Sequence, residues 1–216
     1  MLADAAFPEH DPDGPVSPGL RVRVTLKKMP TAYIGMGGNL ASAAGPPDAT
    51  LAAAVNRLQS LGRVTCRSSL YSTAPVGYAA QPRFVNAVVA LETGLPPRAL
   101  LQGLMRIEQE FGRDRTAGFQ NGPRTLDLDI LLYGDLRVSE PGLEIPHPRM
   151  ADRAFVMVPL AEIAPYKGDA TDLKSVAQWH NTLESSARSN ADEVVSIQSD
   201  VWCPCACGGG LFPRDP

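Results

Sequence analysis

The chain has 216 residues, a size that fits one domain with ragged ends. At 44% hydrophobic and 20% charged residues it can bury a core, and its net charge of −3 argues against a globally basic nucleic-acid binder. No apolar stretch approaches the roughly 18 residues of a membrane helix, and the proline- and acid-rich head resembles neither a secretory leader nor an organellar transit peptide, so residues 1–30 read as a disordered extension.

In chain order, residues 31–38 (TAYIGMGG) are a short apolar run closed by glycines and predict a strand. Leu51, Val55, Leu58 and Leu61 recur at helical spacing, which predicts a helix over 48–61 stopped by Gly62. Residues 63–73 alternate polar and apolar and predict one strand; 74–82 is a Pro/Gly loop; 84–92 predicts a second β-rich run. Pro96-Pro97 opens a helix to about Phe111, ended by Gly112. A polar loop follows over 113–123, then a strand over 125–133, a turn at Gly134-Asp135 and a small hairpin. A helical pattern over 151–164 contains Pro159, which predicts a break. Leu173, Val176 and Trp179 hint at one more helix, and no fold is expected beyond about Ser185. The order β-α-β-β-α-β gives the α+β class with a ferredoxin-like core over 31–185. Its antiparallel sheet carries two helices on one face and leaves the other face free for a ligand.

Cys66 stands alone in a strand-like run and reads as a core thiol. Cys203, Cys205 and Cys207 form a C-x-C-x-C cluster that could bind a soft metal, but the spacing is tight and no fourth ligand is evident; the plainer reading is an oxidation-prone tail. Residues 186–216 therefore read as a low-order tail, and no disulfide framework is implied, so a reducing cytoplasm is the default compartment.

The densest chemistry lies in Gly122–Ile130 (GPRTLDLDI). On a strand, Asp127 and Asp129 share one face while Leu126, Leu128 and Ile130 enter the core. Two adjacent carboxylates repel, and a divalent cation relieves that repulsion; hard oxygen ligands suit Mg²⁺ and nucleotide phosphates. A solvated acidic edge is the alternative for the two acids alone. Arg113, Arg115, Arg124, His147, Arg149 and Arg153 lie nearby in sequence, as a phosphoryl-transfer site requires, although exposed loop positions are the plainer reading for several of them. The 16 Arg against 4 Lys fit phosphate recognition and equally fit genome composition. Phe84 and Asn86, two apart on a strand, offer a ring face and an amide to a planar heterocycle.

The blocks Tyr33–Leu40, Leu70–Gly77, Phe84–Ala87, Arg106–Glu108, Phe111–Arg113, Gly122–Asp129, Ile145–Arg149 and Arg153–Phe155, in this order, resemble the 6-hydroxymethyl-7,8-dihydropterin pyrophosphokinase family of folate biosynthesis over residues 32–165. The resemblance implies attack of the pterin hydroxymethyl oxygen on the β-phosphorus of ATP, with AMP leaving. It implies two Mg²⁺ ions held by Asp127 and Asp129, with Asp129 also accepting the hydroxyl proton. Arg113 and Arg124 match catalytic-loop arginines; Arg115, His147 and Arg153 match phosphate and nucleotide contacts; Glu108 and Ile130 match positions lining the nucleotide pocket. The pterin is expected between Phe84 and Phe155, with Asn86 and the backbone of Thr73, Ala74 and Val76 on its amide edge. ATP and the pterin are the expected partners, with no nucleic acid and no membrane.

The chain departs from the family pattern at Asn121, where some members carry a loop Trp. The loop over 117–121 is one residue longer, and Phe119 could supply the aromatic cover. Two other classes share parts of the pattern. A palm-like nucleotidyl- or phosphotransferase uses two acids on the same scaffold, but Phe84 and Asn86 speak against it. The other is a non-catalytic module, either RNA-binding or an ATP-binding homologue that transfers nothing.

Overall fold

Alternation decides the first strand: Ala32, Ile34 and Met36 are buried while Tyr33, Gly35 and Gly37 face the other way. This strand, β1 (Thr31–Gly38), is an interior strand of the sheet, paired on both sides. A computed structural model describes residues 29–114, 122–165 and 194–204. The further elements are α1 (Pro47–Leu58), β2 (Arg63–Arg67), β3 (Leu70–Thr73), β4 (Phe84–Glu92), α2 (Pro97–Glu110), β5 (Asp127–Tyr133), β6 (Val138–Glu140), β7 (Leu143–Ile145), α3 (Ala154–Ile163) and β8 (Val195–Ile197). Among the described residues the main sheet has six strands and runs β5-β1-β4-β3-β8, with β2 also on β4, and its pairings are antiparallel. The core is the expected β-α-β-β-α-β arrangement, and β6 and β7 form the expected hairpin.

Both long helices start with proline in the first turn, where its missing N–H costs nothing. Leu51, Ala54, Val55 and Leu58 of α1 and Leu100, Leu104 and Ile107 of α2 pack with Ile34, Met36, Val89 and Leu128 in the main core. The opposite face is not free, as it was expected to be. α3 lies on it, and Val156, Met157 and Leu160 pack with Val88, Leu131, Leu132 and Met150 in a second core. The β1–β5 register shifts between Tyr33 and Ile34, skipping Leu131. That bulge turns Ile130 and Tyr133 toward the main core and the consecutive pair Leu131 and Leu132 toward α3. Pro159 does not break α3, which runs on from Ala154 to Ile163.

Two further expectations fail. The strand over 63–73 is two strands. Buried Ser68 breaks it, its N–H donating to Val88 O and its Oγ accepting from Val88 N. The low-order reading of 186–216 does not hold for 194–204. β8 pairs with β3, and Trp202 is buried in the main core, its Nε1–H donating to Ser68 O at 2.8 Å. Arg67 lies over the same ring, and Ser199 Oγ donates to Asp48 Oδ2 at 2.7 Å. These contacts bring the C-terminal segment alongside β2. Cys66 there is buried but disulfide-bonded, its partner outside the described residues, so the expected lone reduced thiol is not found. The cysteine argument for a reducing compartment loses its basis. Cys203 is an exposed free thiol; Cys205, Cys207 and the helix hinted at by Leu173, Val176 and Trp179 lie outside the described residues.

Candidate active site

The uncovered end of the α3 face has a floor of glycine. Gly37 pairs with Asn86 on one side and Asp127 on the other; Gly35 pairs with Val88 and Asp129. Directly opposed residues share a sheet face, so two rows, Asn86–Gly37–Asp127 and Val88–Gly35–Asp129, cross the sheet with no side chain in the middle. A Cβ on Gly37 would stand 2.8 Å from Asn86 Oδ1, and one on Gly38 2.3 Å from Thr125 O. The strand is glycine-rich here because the neighbours leave no room.

The acids are surrounded by arginine. Arg113 Nη1 donates to Glu108 Oε1 at 2.6 Å, to Leu126 O at 3.2 Å and to Asp127 Oδ1. Arg124 Nε lies 3.1 Å from Asp127 Oδ2 but out of hydrogen-bond alignment, a buried N–H left without an acceptor. The Arg124 guanidinium stacks over Phe84, 4.8 Å from the ring centroid. Burial opposes the charge on Arg113, but Asp127 and Glu108 outweigh it and keep the guanidinium ionised. Burial and then the neighbouring Asp127 carboxylate hold the Asp129 carboxyl above the usual range, with His147, Arg153 and Arg113 pulling the other way. Burial pushes the His147 imidazolium below its ordinary value, against the attraction of Asp129. His147 Nδ1 accepts from Arg149 N at 3.2 Å, which leaves Nε2 to carry the proton outward.

A cavity of about 280 Å³ adjoins the acids. Thr73, Ala74, Val76, Phe84, Asn86 and Phe155, the residues expected around the pterin, all line it, together with Arg124 and Arg153. Asn86 Nδ2 donates to Thr73 Oγ1 at 2.8 Å, which fixes the amide. Arg153, the residue before α3, lies over Phe155 at 5.5 Å. A shallow trough lined by Asp127, Asp129, Arg124 and Arg153 connects with it. His147 lines a separate cavity of about 440 Å³ with Arg137, Glu144 and Pro148.

Glu108 and Ile130, expected to line the nucleotide pocket, are both interior residues. The Ile130 side chain is buried in the main core, so only its backbone is left for a ligand. Glu108 is fully buried and turns to Arg113 and to Leu128 N, which donates to it at 2.8 Å. Arg115, Phe119 and Asn121 lie outside the described residues. Sequence reasoning gave no role to Asn39. It is buried; its Oδ1 accepts from Arg124 N at 2.9 Å, and its Nδ2 donates to Gln81 Oε1 and Pro82 O. It clips the Arg124 backbone to the end of the 74–83 loop. Asp152, which lines the cavity with Arg149, also went unassigned. The alternating Gly35 and Gly37 were the available signal for the open floor.

Among the described residues no group of three or more His, Cys, Asp or Glu is placed to hold a metal. The donor set is two carboxylates on one strand face. That fits Mg²⁺, which keeps waters and takes the rest of its shell from phosphates, better than an ion caged by protein. No helix among the described residues is long and apolar enough to cross a membrane.

A family model described as 7,8-dihydro-6-hydroxymethylpterin-pyrophosphokinase (HPPK) matches residues 33–165. The chain is 47% identical over 135 residues to the 2-amino-4-hydroxy-6-hydroxymethyldihydropteridine pyrophosphokinase of Pseudomonas aeruginosa, covering 62% of this chain and 80% of that protein. To the protein of the same name from Bacillus subtilis it is 39% identical over 175 residues, covering 78% and 98%. It matches the mitochondrial folate synthesis bifunctional protein of Pisum sativum at 44% identity, spanning 24% of that longer protein. A solved HPPK-DHPS triple mutant from Plasmodium falciparum shares the fold at TM-score 0.61 and 15% identity, over 77% of this chain and 46% of the solved one.

Proposed function

The chain belongs to the 7,8-dihydro-6-hydroxymethylpterin-pyrophosphokinase family, which moves pyrophosphate from ATP to the hydroxymethyl pterin in folate synthesis, and we propose that Asp127, Asp129, Arg113 and Arg124 carry that transfer here. The observation behind the proposal is the row Asn86–Gly37–Asp127, which sets an amide for a heterocycle and a carboxylate for a cation on one side-chain-free floor.

Asp127 and Asp129 would hold two Mg²⁺ ions. When bound, the metal supplies charge neutralisation and alignment of the ATP phosphates. Phe84 and Phe155 would clamp the pterin ring, and the Asn86 amide, locked by Thr73, would read its paired donor and acceptor edge. Asp129, whose carboxyl is held above the usual range, is suited to accept the hydroxymethyl proton as the oxygen attacks. Arg124, with its face on Phe84 and an unsatisfied N–H toward Asp127, would lie between the two substrates and meet negative charge on the moving group. Neutral His147 would offer Nε2–H to a phosphate oxygen, with Arg115 and Arg153 adding positive charge, and the backbone at Ile130 would border the nucleotide.

The test is AMP release from Mg²⁺-ATP with and without 6-hydroxymethyl-7,8-dihydropterin. Pterin-dependent AMP that disappears in Asp127→Asn supports the assignment. Undiminished release in that variant would remove Asp127 from the mechanism.

A further inference from the structure

Glu108 is a fully buried carboxylate at the end of α2, remote in sequence from the acids it supports. A buried carboxylate needs a counter-charge and hydrogen bonds, or it drives unfolding or protonation. Glu108 has both from residues next to the site: the Arg113 guanidinium at 2.6 Å and the Leu128 N–H at 2.8 Å. Leu128 lies between Asp127 and Asp129, so the same carboxylate clamps the backbone that spaces them. Arg113 Nη1 in turn touches Asp127 Oδ1, and Arg124 Nε approaches Asp127 Oδ2. Both oxygens of Asp127 thus face guanidinium. Asp129 makes no ion pair or hydrogen bond among the described residues, and His147, Arg153 and Arg113 offset only part of the repulsion from Asp127.

We propose that Glu108 is a positioning residue that holds Arg113 on Asp127 as a stand-in cation in the metal-free protein and keeps Arg113 at the site when a divalent ion takes Asp127. This rests on the assignment of Asp127 as a metal ligand. An arriving cation must displace the Arg113 contact from Asp127. Arg113 does not then leave, because Glu108 still pairs it, and it remains beside the position where charge develops. Metal entry and arginine placement become one exchange. Bare metal binds weakly, and the site assembles only when nucleotide phosphates add their own ligands.

The experiment titrates Mn²⁺ alone, read by the electron paramagnetic resonance signal of the free ion, so no turnover is needed. Glu108→Gln/Arg113→Met keeps the formal net charge of the natural chain, since it removes one charge of each sign. It is expected to bind Mn²⁺ about tenfold more tightly, the size of one charge-assisted hydrogen bond no longer competing. Glu108→Gln alone is expected to weaken Mn²⁺ binding, and to do so by less in the Arg113→Met background. Should the double variant fail to fold, Arg113→Lys carries the same test, because its shorter side chain reaches Asp127 poorly and Mn²⁺ binding should tighten. Equal Mn²⁺ affinity in the natural and double-variant chains, or the same Glu108→Gln effect with and without Arg113, would overturn the exchange and leave Glu108 a structural anchor. Mn²⁺ binding unaffected by Asp127→Asn would remove the metal site, and the exchange with it.

Discussion

Gly37→Ala isolates the glycine floor. The new Cβ would stand 2.8 Å from Asn86 Oδ1, closer than carbon and oxygen tolerate, so the Asn86 amide has to turn. Turning it breaks the Asn86 Nδ2–Thr73 Oγ1 bond inside the protein. One such bond is worth about 1 kcal/mol of stability. Ala in an ordinary strand conformation returns about 0.4–1 kcal/mol by restricting the unfolded chain. The two nearly cancel, so Tm should move by no more than about 4 °C for a domain of this size. Pterin binding has no such compensation. A donor–acceptor pair aimed the wrong way costs about 1–3 kcal/mol, which is about five- to 150-fold in affinity. The assay is AMP formation with each substrate varied in turn, beside thermal unfolding. The pterin KM should rise at least about fivefold while the ATP KM stays within about twofold. An unchanged pterin KM, or both KM values rising together, would refute the account of the floor.

Asp129→Asn should abolish turnover and raise Tm at neutral pH. Because the folded-state carboxyl is held above its unfolded value of about 3.9, the proton it retains favours the fold below that value, and this advantage is lost as pH rises through the raised one. The Tm gap between Asp129→Asn and the natural chain should therefore close on acidification toward about pH 4; a gap independent of pH contradicts the sign. Asp127→Asn should also abolish turnover but without the gain in Tm, because it breaks the contact with Arg113. Phe84→Ala should weaken pterin binding and leave ATP binding nearly unchanged, as isothermal titration with each ligand would show; equal loss of both counts against stacking. Trp202→Ala should cost about 3–5 kcal/mol, a fall in Tm on the order of 10 °C; a change under about 2 °C would mean that the C-terminal segment contributes little to the fold.

Much of this architecture is legible in the chain itself, because burial is period-2 over Thr31–Gly38, nearly continuous over the apolar run Phe84–Glu92, and period-3.6 over α2. What escaped depends on partners distant in sequence. Residues 63–73 alternate without interruption, and only the Ser68 side chain, taking the place of a ladder bond to Val88, breaks them in two. DLDILLY reads as simple alternation, and only the β1 register shows the bulge that gives Leu131 and Leu132 to α3. β8 is three residues long and Trp202 meets Ser68 across 134 positions, so neither leaves a local signal. At the site the acids, Phe84 and Asn86 were visible as same-face pairs on strands. The Arg113–Glu108 pairing and the Asn39 clip were not, because a helix end and a strand end meet the acids only in the fold.

The central claim is that a pyrophosphoryl group, and neither a single phosphoryl nor an adenylyl group, leaves ATP for the pterin at Asp127 and Asp129. ATP labelled separately at the α-, β- and γ-phosphorus tests it in one turnover experiment with the purified chain, Mg²⁺ and 6-hydroxymethyl-7,8-dihydropterin. The account predicts β and γ label together on the pterin and α label in AMP, all lost in Asp129→Asn. Label from the α position on the acceptor, with pyrophosphate released, or γ label alone on the pterin, would contradict it.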